Sequence, residues 1–403
     1  MYDSLLKIFH SDIENYNKIY ESRVGSDSAI HLDFTIHQNK AFFIETPELL
    51  KIIISIQKLD KDIQSFVDYL PNLSITQFTK RCLIDEIVLS NNIEGVHSTR
   101  REIDSVLTDL EKSDTKKRFK GLVNKYIMLM YNETIDIESA KDIREIYDEL
   151  ALPEVIEDDP SNFPDGKIFR KNSVSVLSPT GKEIHTGLLP EEKIIEAMNN
   201  AIGILNDDQI VDLFRVSIFH YLFGYIHPFY DGNGRTSRFI SSYLLSKQLE
   251  PLIGYRLSYT IQENIKEYYD AFKTCNDPRN KGDLTPFIYM FTNIVYKSMY
   301  QLAQALSNRV SAMNHYLKAI PYLPEGTNQK LSNVYDYLVQ ATLFAEHGIS
   351  TKELIENTGE SRNTIKKRLS AIEDNGLLVE KKNGNEKFFT LNLNLIDEII
   401  AKT

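Results

Sequence analysis

Residues 227–238 read HPFYDGNGRTSR, and these twelve positions contain a base, a carboxylate, a glycine-rich turn and two arginines. His227 can accept a proton from a hydroxyl, because an imidazole titrates near neutral pH. Asp231 offers one hard oxygen ligand to Mg²⁺, which binds beside phosphate and water oxygens. The stretch therefore suits chemistry at a phosphate group.

The glycine-rich part of this stretch predicts an anion-binding turn. Gly232 and Gly234 allow the backbone to turn tightly with its N–H groups exposed, at the positive N-terminus of a following helix. Arg235 and Arg238 are three residues apart and would share one side of that helix. Taken singly, a histidine before a proline and an Asp-Gly-Asn-Gly turn are more typical of ordinary loops.

The flanking segments favour a site over an ordinary loop. Residues 211–226 are apolar on most faces, which predicts a central buried helix. A second apolar helix is predicted to pass through residues 239–245. A charged, glycine-rich turn between two core helices is better explained by function than by chance.

The stretch resembles the Fic family signature, His-x-Phe-x-Asp/Glu-Gly-Asn-Gly-Arg-x-x-Arg, and agrees with it at every fixed position. Fic proteins are mostly AMP transferases. They move the adenylyl group of ATP to a Ser, Thr or Tyr hydroxyl of a target protein and release pyrophosphate. The resemblance therefore implies a protein adenylyltransferase that uses ATP and Mg²⁺.

The resemblance also implies a role for each fixed position. His227 is similar to the general base that activates the target hydroxyl, and Asp231 to the Mg²⁺ ligand. The residues implied to bind ATP and its phosphates are Asp231, Gly232, Asn233, Gly234, Arg235 and Arg238. These roles make physical sense, because a hydroxyl needs a base and a leaving pyrophosphate needs positive partners.

Residues 90–95 read SNNIEG and resemble the inhibitory motif of one Fic class, Ser/Thr-x-x-x-Glu-Gly/Asn. The fixed positions are Ser90, Glu94 and Gly95. Residues 79–89 have helical spacing and Gly95 is a suitable helix stop, so Glu94 is expected at a helix end. From the pattern alone, an exposed glutamate with no role is equally expected.

We call residues 227–238 the catalytic stretch. Because this stretch is present in the same chain, the resemblance implies that Glu94 pairs with Arg238. The pair would remove the guanidinium that orients the γ-phosphate, so the chain is expected to be autoinhibited. Relatives also use this glutamate to help water remove AMP from modified targets. De-AMPylation is therefore a second expected activity.

A β-hairpin is predicted before the catalytic stretch. Its first strand contains Val174, Ser175, Val176 and Leu177, residues 178–181 form a turn, and Ile184 lies in a returning strand. The hairpin resembles the Fic flap, which holds the target segment by strand pairing. The alternative is a surface hairpin without a role.

The segment 261–275 is predicted to be helical and is implied to contribute to adenine binding. Tyr268, Tyr269 and Asn276 have the spacing that related proteins use around the adenine base. A tyrosine can cover the ring face and an amide can bond its edge. Tyrosines at helical spacing are otherwise more typical of a core or an interface.

The composition of the chain is consistent with a soluble enzyme. The chain has 403 residues, of which 42% are hydrophobic, and a net charge of −11, which argues against nucleic acid or an acidic membrane as the partner of the whole chain. Two cysteines predict neither a disulfide framework nor a metal cluster. No membrane span or basic, apolar leader is apparent, so a cytoplasmic location is expected.

The fold class expected for the chain is mainly α, with a Fic-type helical core, a β-hairpin flap and a small winged-helix domain. We predict an N-terminal region at 1–74, a catalytic domain at 75–310, a linker at 311–328 and a winged helix-turn-helix at 329–403. The N-terminal region should contain a hairpin around residues 38–40 and a helix from about Pro47.

The C-terminal prediction depends on three helices and a wing. Helices are expected at 331–344, from Ser350, and from Ser361 to Gly376, followed by strands around residues 382–385. The third helix carries residue types suited to DNA, namely Arg362, Asn363, Lys366, Lys367 and Arg368. From residue 326 onward ten basic residues face eleven acidic ones, so a protein partner stays equally open.

Two classes of function follow from the sequence. The first is an AMP transferase that also removes AMP; the second is a DNA- or protein-binding regulator that uses its Fic core as a nucleotide sensor. The expected partners are ATP, a target protein at the flap, DNA or protein at the winged helix, and a second copy in a homodimer. No membrane partner is expected.

Overall fold

The computed structural model describes residues 2–109, 117–177, 183–383 and 386–402. The predicted flap turn at 178–181 and residues 384–385 of the wing turn lie outside the described residues. The chain divides into two compact units, one formed by residues 1–60 and 84–300 and the other by residues 61–83 and 301–403. The fold is mainly α, as predicted.

The N-terminal elements are two short helices, a hairpin and two long helices. Their bounds are α1 Leu5–Ser11, α2 Tyr16–Val24, β1 Ala29–Ile36, β2 Asn39–Ile44, α3 Pro47–Tyr69 and α4 Asn72–Ile93. The hairpin predicted around residues 38–40 is confirmed, since β1 and β2 pair antiparallel. The helix predicted from Pro47 is also confirmed.

The helical core follows α4, and the flap hairpin interrupts it. The elements before and within the flap are α5 Arg100–Asp109, α6 Lys120–Met130, α7 Ala140–Leu150, α8 Leu152–Asp158, β3 Ser175–Leu177 and β4 Glu183–Thr186. The remaining helices of the core are α9 Glu191–Leu205, α10 Asp212–Ile226, α11 Asn233–Gln248, α12 Leu257–Glu263, α13 Ile265–Asn276 and α14 Thr285–Ala319.

Helix α10 forms the centre of this core. Twelve of its fifteen residues are buried, because its sequence is apolar on every face. It packs between α9 and α11. The buried position of α10 fixes the place where the catalytic stretch begins.

The segment predicted as one helix at 261–275 is instead two helices that meet at Asn264. Asn264 has a non-helical backbone, and its side-chain amide donates to the carbonyl of Thr260 at 2.8 Å. An asparagine that bonds the preceding turn in this way competes with helix continuation. The prediction of a single helix was therefore wrong at this residue.

The segment predicted as a linker, 311–328, begins within a helix. Helix α14 continues to Ala319 because residues 311–319 contain neither glycine nor proline, and it stops just before Pro321. A short 3₁₀ turn at Ile320–Tyr322 follows.

The C-terminal elements are helices around a three-stranded antiparallel sheet. Their bounds are α15 Gln329–Phe344, β5 Ile349–Ser350, α16 Thr351–Thr358, α17 Arg362–Glu373, β6 Leu378–Asn383, β7 Glu386–Leu391 and α18 Leu393–Ile400. Strand β7 lies between β5 and β6. Ser350 and Ser361 cap α16 and α17 as predicted, by accepting bonds from the N–H groups of Glu353 and Thr364. Strand β5 and helix α18 were not predicted.

No helix in the described part of the chain has the length and apolarity that a bilayer crossing requires. Both cysteines, Cys82 and Cys275, are buried.

Candidate active site

The catalytic stretch lies in the turn between α10 and α11. Helix α10 ends where His227 adopts a left-handed backbone conformation, with φ of 51°. Helix α11 begins after Gly232, whose φ of 77° suits a residue without a side chain. The side chain of Asn233 closes the turn, because it accepts from the N–H of Phe229 at 2.9 Å and donates to its carbonyl at 2.8 Å.

His227 is partly buried beside charged groups. Burial, together with the nearby Arg170, lowers the pKa of its imidazole to about 4, while Glu94 acts in the opposite direction. The imidazole is therefore neutral near pH 7. A neutral imidazole is the form that accepts a proton.

Asp231, in the turn, lies close to Arg235, in the first turn of α11. One Asp231 oxygen accepts from the N–H of Gly232 at 2.6 Å, and the other lies 3.8 Å from Nη2 of Arg235. The Asp231 side chain is 44% exposed, whereas that of Arg235 is 1% exposed. Nε and Nη2 of Arg235 have no hydrogen-bond partner among the described residues. Buried donors without partners favour an anion nearby.

The residues present fit a metal that arrives with phosphates. Within the described ranges, no group of three or more His, Cys, Asp or Glu side chains could hold a metal by itself. A single partly exposed carboxylate such as Asp231 matches Mg²⁺, which keeps several waters and takes its other ligands from substrate phosphates.

Arg238 is buried, and each nitrogen of its guanidinium donates one hydrogen bond to the segment around the end of α4. Nη1 donates to Oε1 of Glu94 at 2.7 Å, Nε donates to Oγ of Ser90 at 3.0 Å, and Nη2 donates to the carbonyl of Ser90 at 2.8 Å. Gly95 follows with φ of 72° and allows the chain to leave the helix. The structure thus brings Ser90, Glu94 and Arg238 together.

The Glu94 carboxylate also lies against the glycine-rich turn. A Cβ atom placed on Gly234 would come within 2.0 Å of Oε1 of Glu94 and 2.8 Å of Nη1 of Arg238. Gly234 is in the first turn of α11, where the backbone N–H groups favour an anion. In this structure the anion at that helix end is Glu94.

Glu86 is a buried carboxylate on α4 that was not predicted from the sequence. Glu86 accepts from the backbone N–H of Ser258 at 2.8 Å and from its hydroxyl at 2.6 Å. Burial raises the pKa of Glu86 to about 7. Residues 86, 90 and 94 are four apart and share one helix face, so this spacing was the available signal.

The predicted flap hairpin is present and is attached to the end of α10. Ser175 pairs with Thr186 and Val176 with His185. The N–H of Gly187 donates to the carbonyl of Val174 at 3.0 Å, and the N–H of Leu188 donates to that of Ile226 at 3.1 Å. Ser175 is exposed, while Val174 and Val176 are half-buried. Leu177 pairs with Glu183 at the far end of the hairpin.

The residues predicted to surround adenine lie on α13. Tyr268 is buried, and its hydroxyl bonds Nε2 of His220 at 2.7 Å. The two tyrosines Tyr268 and Tyr269 lie close enough to Arg238 to interact with its charge. Asn276 is the last residue of α13, and its side-chain carbonyl accepts from Tyr221 at 2.8 Å. His220 was another residue that the sequence analysis missed, because a histidine in a buried helix gives no distinctive pattern.

Comparison with known proteins identifies this region. Residues 137–245 match the Fic/DOC family model. This part of the chain is similar to Fic/DOC family domains. The matched residues include the flap and the catalytic stretch, whereas Glu94 lies N-terminal to them.

Curated proteins named as adenylyltransferases are similar to 57% of this chain. The chain is 30% identical over 238 residues to Protein adenylyltransferase Fic of Drosophila mojavensis, covering 57% of this chain and 43% of that protein. It is 27% identical over 235 residues to Protein adenylyltransferase Fic of Drosophila sechellia, covering 57% and 44% respectively. The chain thus spans less than half the length of these curated relatives.

A solved structure supports the fold of the Fic domain. The crystal structure of a Fic family protein from Desulfovibrio desulfuricans superimposes with a TM-score of 0.51 at 16% identity, covering 87% of this chain and 97% of that one. At this identity the similarity shows the fold alone.

Replacement of Glu86 should change how stability depends on pH. Burial raises the folded pKa of this acid from 4.5 to about 7, so its contribution to folding is full below about pH 4.5 and is lost as the pH rises through about 7. Relative to Glu86→Gln, the wild-type protein should lose up to ~3 kcal/mol of unfolding free energy over this window. Urea titrations at about pH 5 and about pH 7.5 measure the difference.

The matched control is Glu267→Gln, which removes one exposed carboxylate from α13. A wild-type protein whose stability changes with pH in parallel with that of Glu86→Gln would contradict the assignment.

Proposed function

We propose that this chain is a protein adenylyltransferase that moves AMP from ATP to a Ser, Thr or Tyr hydroxyl of a target protein and is inhibited by Glu94. The observation that carries the proposal is the contact of Glu94 with both Arg238 and the Gly234 turn. A carboxylate at this position occupies the positively charged groups that would otherwise bind the phosphates of ATP. The names of the curated relatives support the same reaction.

The transfer step follows from the residues around His227. A target hydroxyl held at the flap donates its proton to the neutral imidazole, and its oxygen forms a bond to the α-phosphorus of ATP. The bond between the α-phosphorus and the bridging oxygen breaks, and pyrophosphate leaves with the electron pair. Arg235 and the N-terminus of α11 stabilise the negative charge that develops.

Asp231 would hold Mg²⁺, which would add positive charge beside the phosphates. Tyr268, Tyr269 and Asn276 would contact the adenine base from α13. The flap would hold the target by pairing with the strand of Val174, Ser175, Val176 and Leu177, a mode that needs only backbone groups.

Inhibition would act by blocking the binding of the ATP phosphates, and it would leave His227 able to accept a proton. Each of the three nitrogens of Arg238 donates to Ser90 or Glu94, so the carboxylate of Glu94 would compete with a γ-phosphate for this guanidinium until it is displaced. The same carboxylate, once released from Arg238, would be placed to assist a water molecule. Removal of AMP from a modified target is therefore the second activity that we propose.

Glu94→Gly should increase self-modification, because it frees Arg238 and the Gly234 turn. The loss of one charge-assisted hydrogen bond corresponds to roughly 1.5–3 kcal/mol, so AMP incorporation should rise about tenfold or more. Intact-mass spectrometry after incubation with Mg-ATP measures the fraction of chains that carry one added AMP.

The matched control is Glu94→Gly combined with His227→Ala, which should show no added mass. Equal incorporation by wild type and Glu94→Gly would contradict inhibition by Glu94. Absence of incorporation in every variant would favour the alternative, a regulator that uses the Fic domain as a nucleotide sensor.

We further propose that residues 329–403 form a winged helix-turn-helix that binds duplex DNA or a protein partner. Arg362, Asn363, Lys366 and Lys367 are exposed along α17, which favours DNA. Arg368 is held by Glu360 at 2.7 Å and does not add to this surface. A groove of about 750 Å³ beside α17 is lined by acidic as well as basic residues, which favours a protein.

Fluorescence anisotropy with duplex DNA at two salt concentrations separates these partners. If DNA is the partner, binding should be detectable at low salt and weaken steeply as salt rises, because each phosphate contact releases a counterion. The double variant Lys366→Glu, Lys367→Glu should reduce both the affinity and the salt dependence. No binding at low salt would exclude the DNA role and leave a protein partner.

A further inference from the structure

Arg170 connects three separate segments next to the catalytic histidine. Its Nε donates to the carbonyl of His227 at 2.9 Å, its Nη1 to the carbonyl of Asn172 at 2.6 Å, and its Nη2 to the carbonyl of Leu188 at 3.0 Å. Asn172 precedes the first flap strand and Leu188 follows the second. The side chain of Arg170 therefore bonds the backbone at both ends of the flap and the backbone of His227.

The charge of Arg170 is buried without a carboxylate to balance it. The residue has no exposed surface, and its guanidinium has no ion-pair partner within the described ranges. Burial lowers the pKa of the guanidinium, which reflects the unfavourable transfer of a charge out of water. A planar group with five donors in a fixed fork is the side chain that can satisfy three carbonyls in three directions.

The flap approaches this guanidinium closely through Gly187. A Cβ atom on Gly187 would lie 2.3 Å from Nη2 of Arg170 and 3.0 Å from Cβ of His227. The N–H of Arg170 also donates to the carbonyl of Pro228 at 3.3 Å, so its backbone joins the segment just after the base. The end of the flap is therefore packed directly against both residues.

We propose that Arg170 is a positioning residue, which fixes the flap relative to His227 so that a hydroxyl held by the flap meets the imidazole. This inference rests on the proposed function, since it assigns the flap to the target. It extends that function, because Arg170 lies outside the catalytic stretch and the inhibitory motif. Its effect is on the geometry of transfer and leaves the binding of ATP unchanged.

Arg170 also acts on the protonation of His227. The charged groups that face this imidazole are Arg170 and His185, which favour its neutral form, and Glu94, which favours its charged form. Burial favours the neutral form most strongly. Removal of the Arg170 charge should therefore make His227 easier to protonate. The Arg170→Lys variant keeps a positive charge but loses the planar guanidinium and its hydrogen-bond geometry.

The first measurement is the titration of histidine ring protons by NMR, with the His227 signal assigned through His227→Ala. Arg170→Gln should raise the pKa of His227 by about one unit, whereas Arg170→Lys should change it little. The matched control is Arg144→Gln, since Arg144 donates to the nearby carbonyl of Ile168 at 2.6 Å but pairs with Asp148. The control should leave the His227 titration unchanged.

The second measurement separates positioning from ATP binding in the Glu94→Gly background. Both Arg170→Lys and Arg170→Gln should lower single-turnover AMP incorporation about tenfold or more, while the Kd of Mg-ATP stays within about twofold. Thermal unfolding of each variant shows whether it is folded, and Arg170→Lys is the variant expected to fold best.

The outcomes distinguish this inference from the proposed function. If Glu94→Gly itself incorporates no AMP, the proposed function fails, while the His227 titration still tests the link to Arg170. If Glu94→Gly is active and the Arg170 variants lose ATP affinity in step with incorporation, the positioning role is overturned. Unchanged incorporation and an unchanged His227 titration in Arg170→Gln would overturn it as well.

Discussion

The guanidinium of Arg238 is buried at the start of α11, and its three nitrogens all donate to Ser90 and Glu94. A buried guanidinium needs partners for its hydrogen bonds, and it needs a negative charge nearby. In this structure both are supplied by the segment that ends α4. The partners of Arg238 therefore depend on the position of α4.

Two kinds of contact attach α4 to the Fic domain on one helix face. Ser90 and Glu94 bond Arg238, and Glu86 bonds the first turn of α12 through Ser258. The contact at Glu86 is buried, which raises the pKa of this acid to about 7, whereas the contact at Glu94 is an ion pair and is partly exposed.

A third constraint acts on the opposite side of His227. Arg170 bonds the carbonyls of His227, Asn172 and Leu188, so the flap and the base share one buried anchor. The charge of Arg170 adds to the effect of burial in lowering the pKa of the His227 imidazole. The turn thus lies between two buried arginines with different environments. Arg238 is balanced by a partly exposed carboxylate, whereas Arg170 is bonded to three backbone carbonyls.

Much of the fold and of the site could be predicted from the sequence because the relevant signals are local. The apolar segment 211–226, the glycines of the turn and the capping serines each determine their element within a few residues. The β1–β2 and flap hairpins follow equally from strand residues around short turns. The break at Asn264 was missed, since it depends on a side chain bonding its own backbone where the apolar spacing continues.

The sequence by itself determined which groups stand together, because a base, a carboxylate, an anion turn and two arginines lie within one continuous stretch. The resemblance also implied the pairing of Glu94 with Arg238, which the structure shows across 144 positions. Only the tertiary structure decided the contacts of Glu86 with Ser258 across 172 positions and of Arg170 with His227 across 57. Contacts of this kind depend on how buried helices pack, and Arg170 and Glu86 show it best. In the sequence both are ordinary charged residues, and they acquire a role only because folding removes them from water and leaves each with a few definite hydrogen bonds.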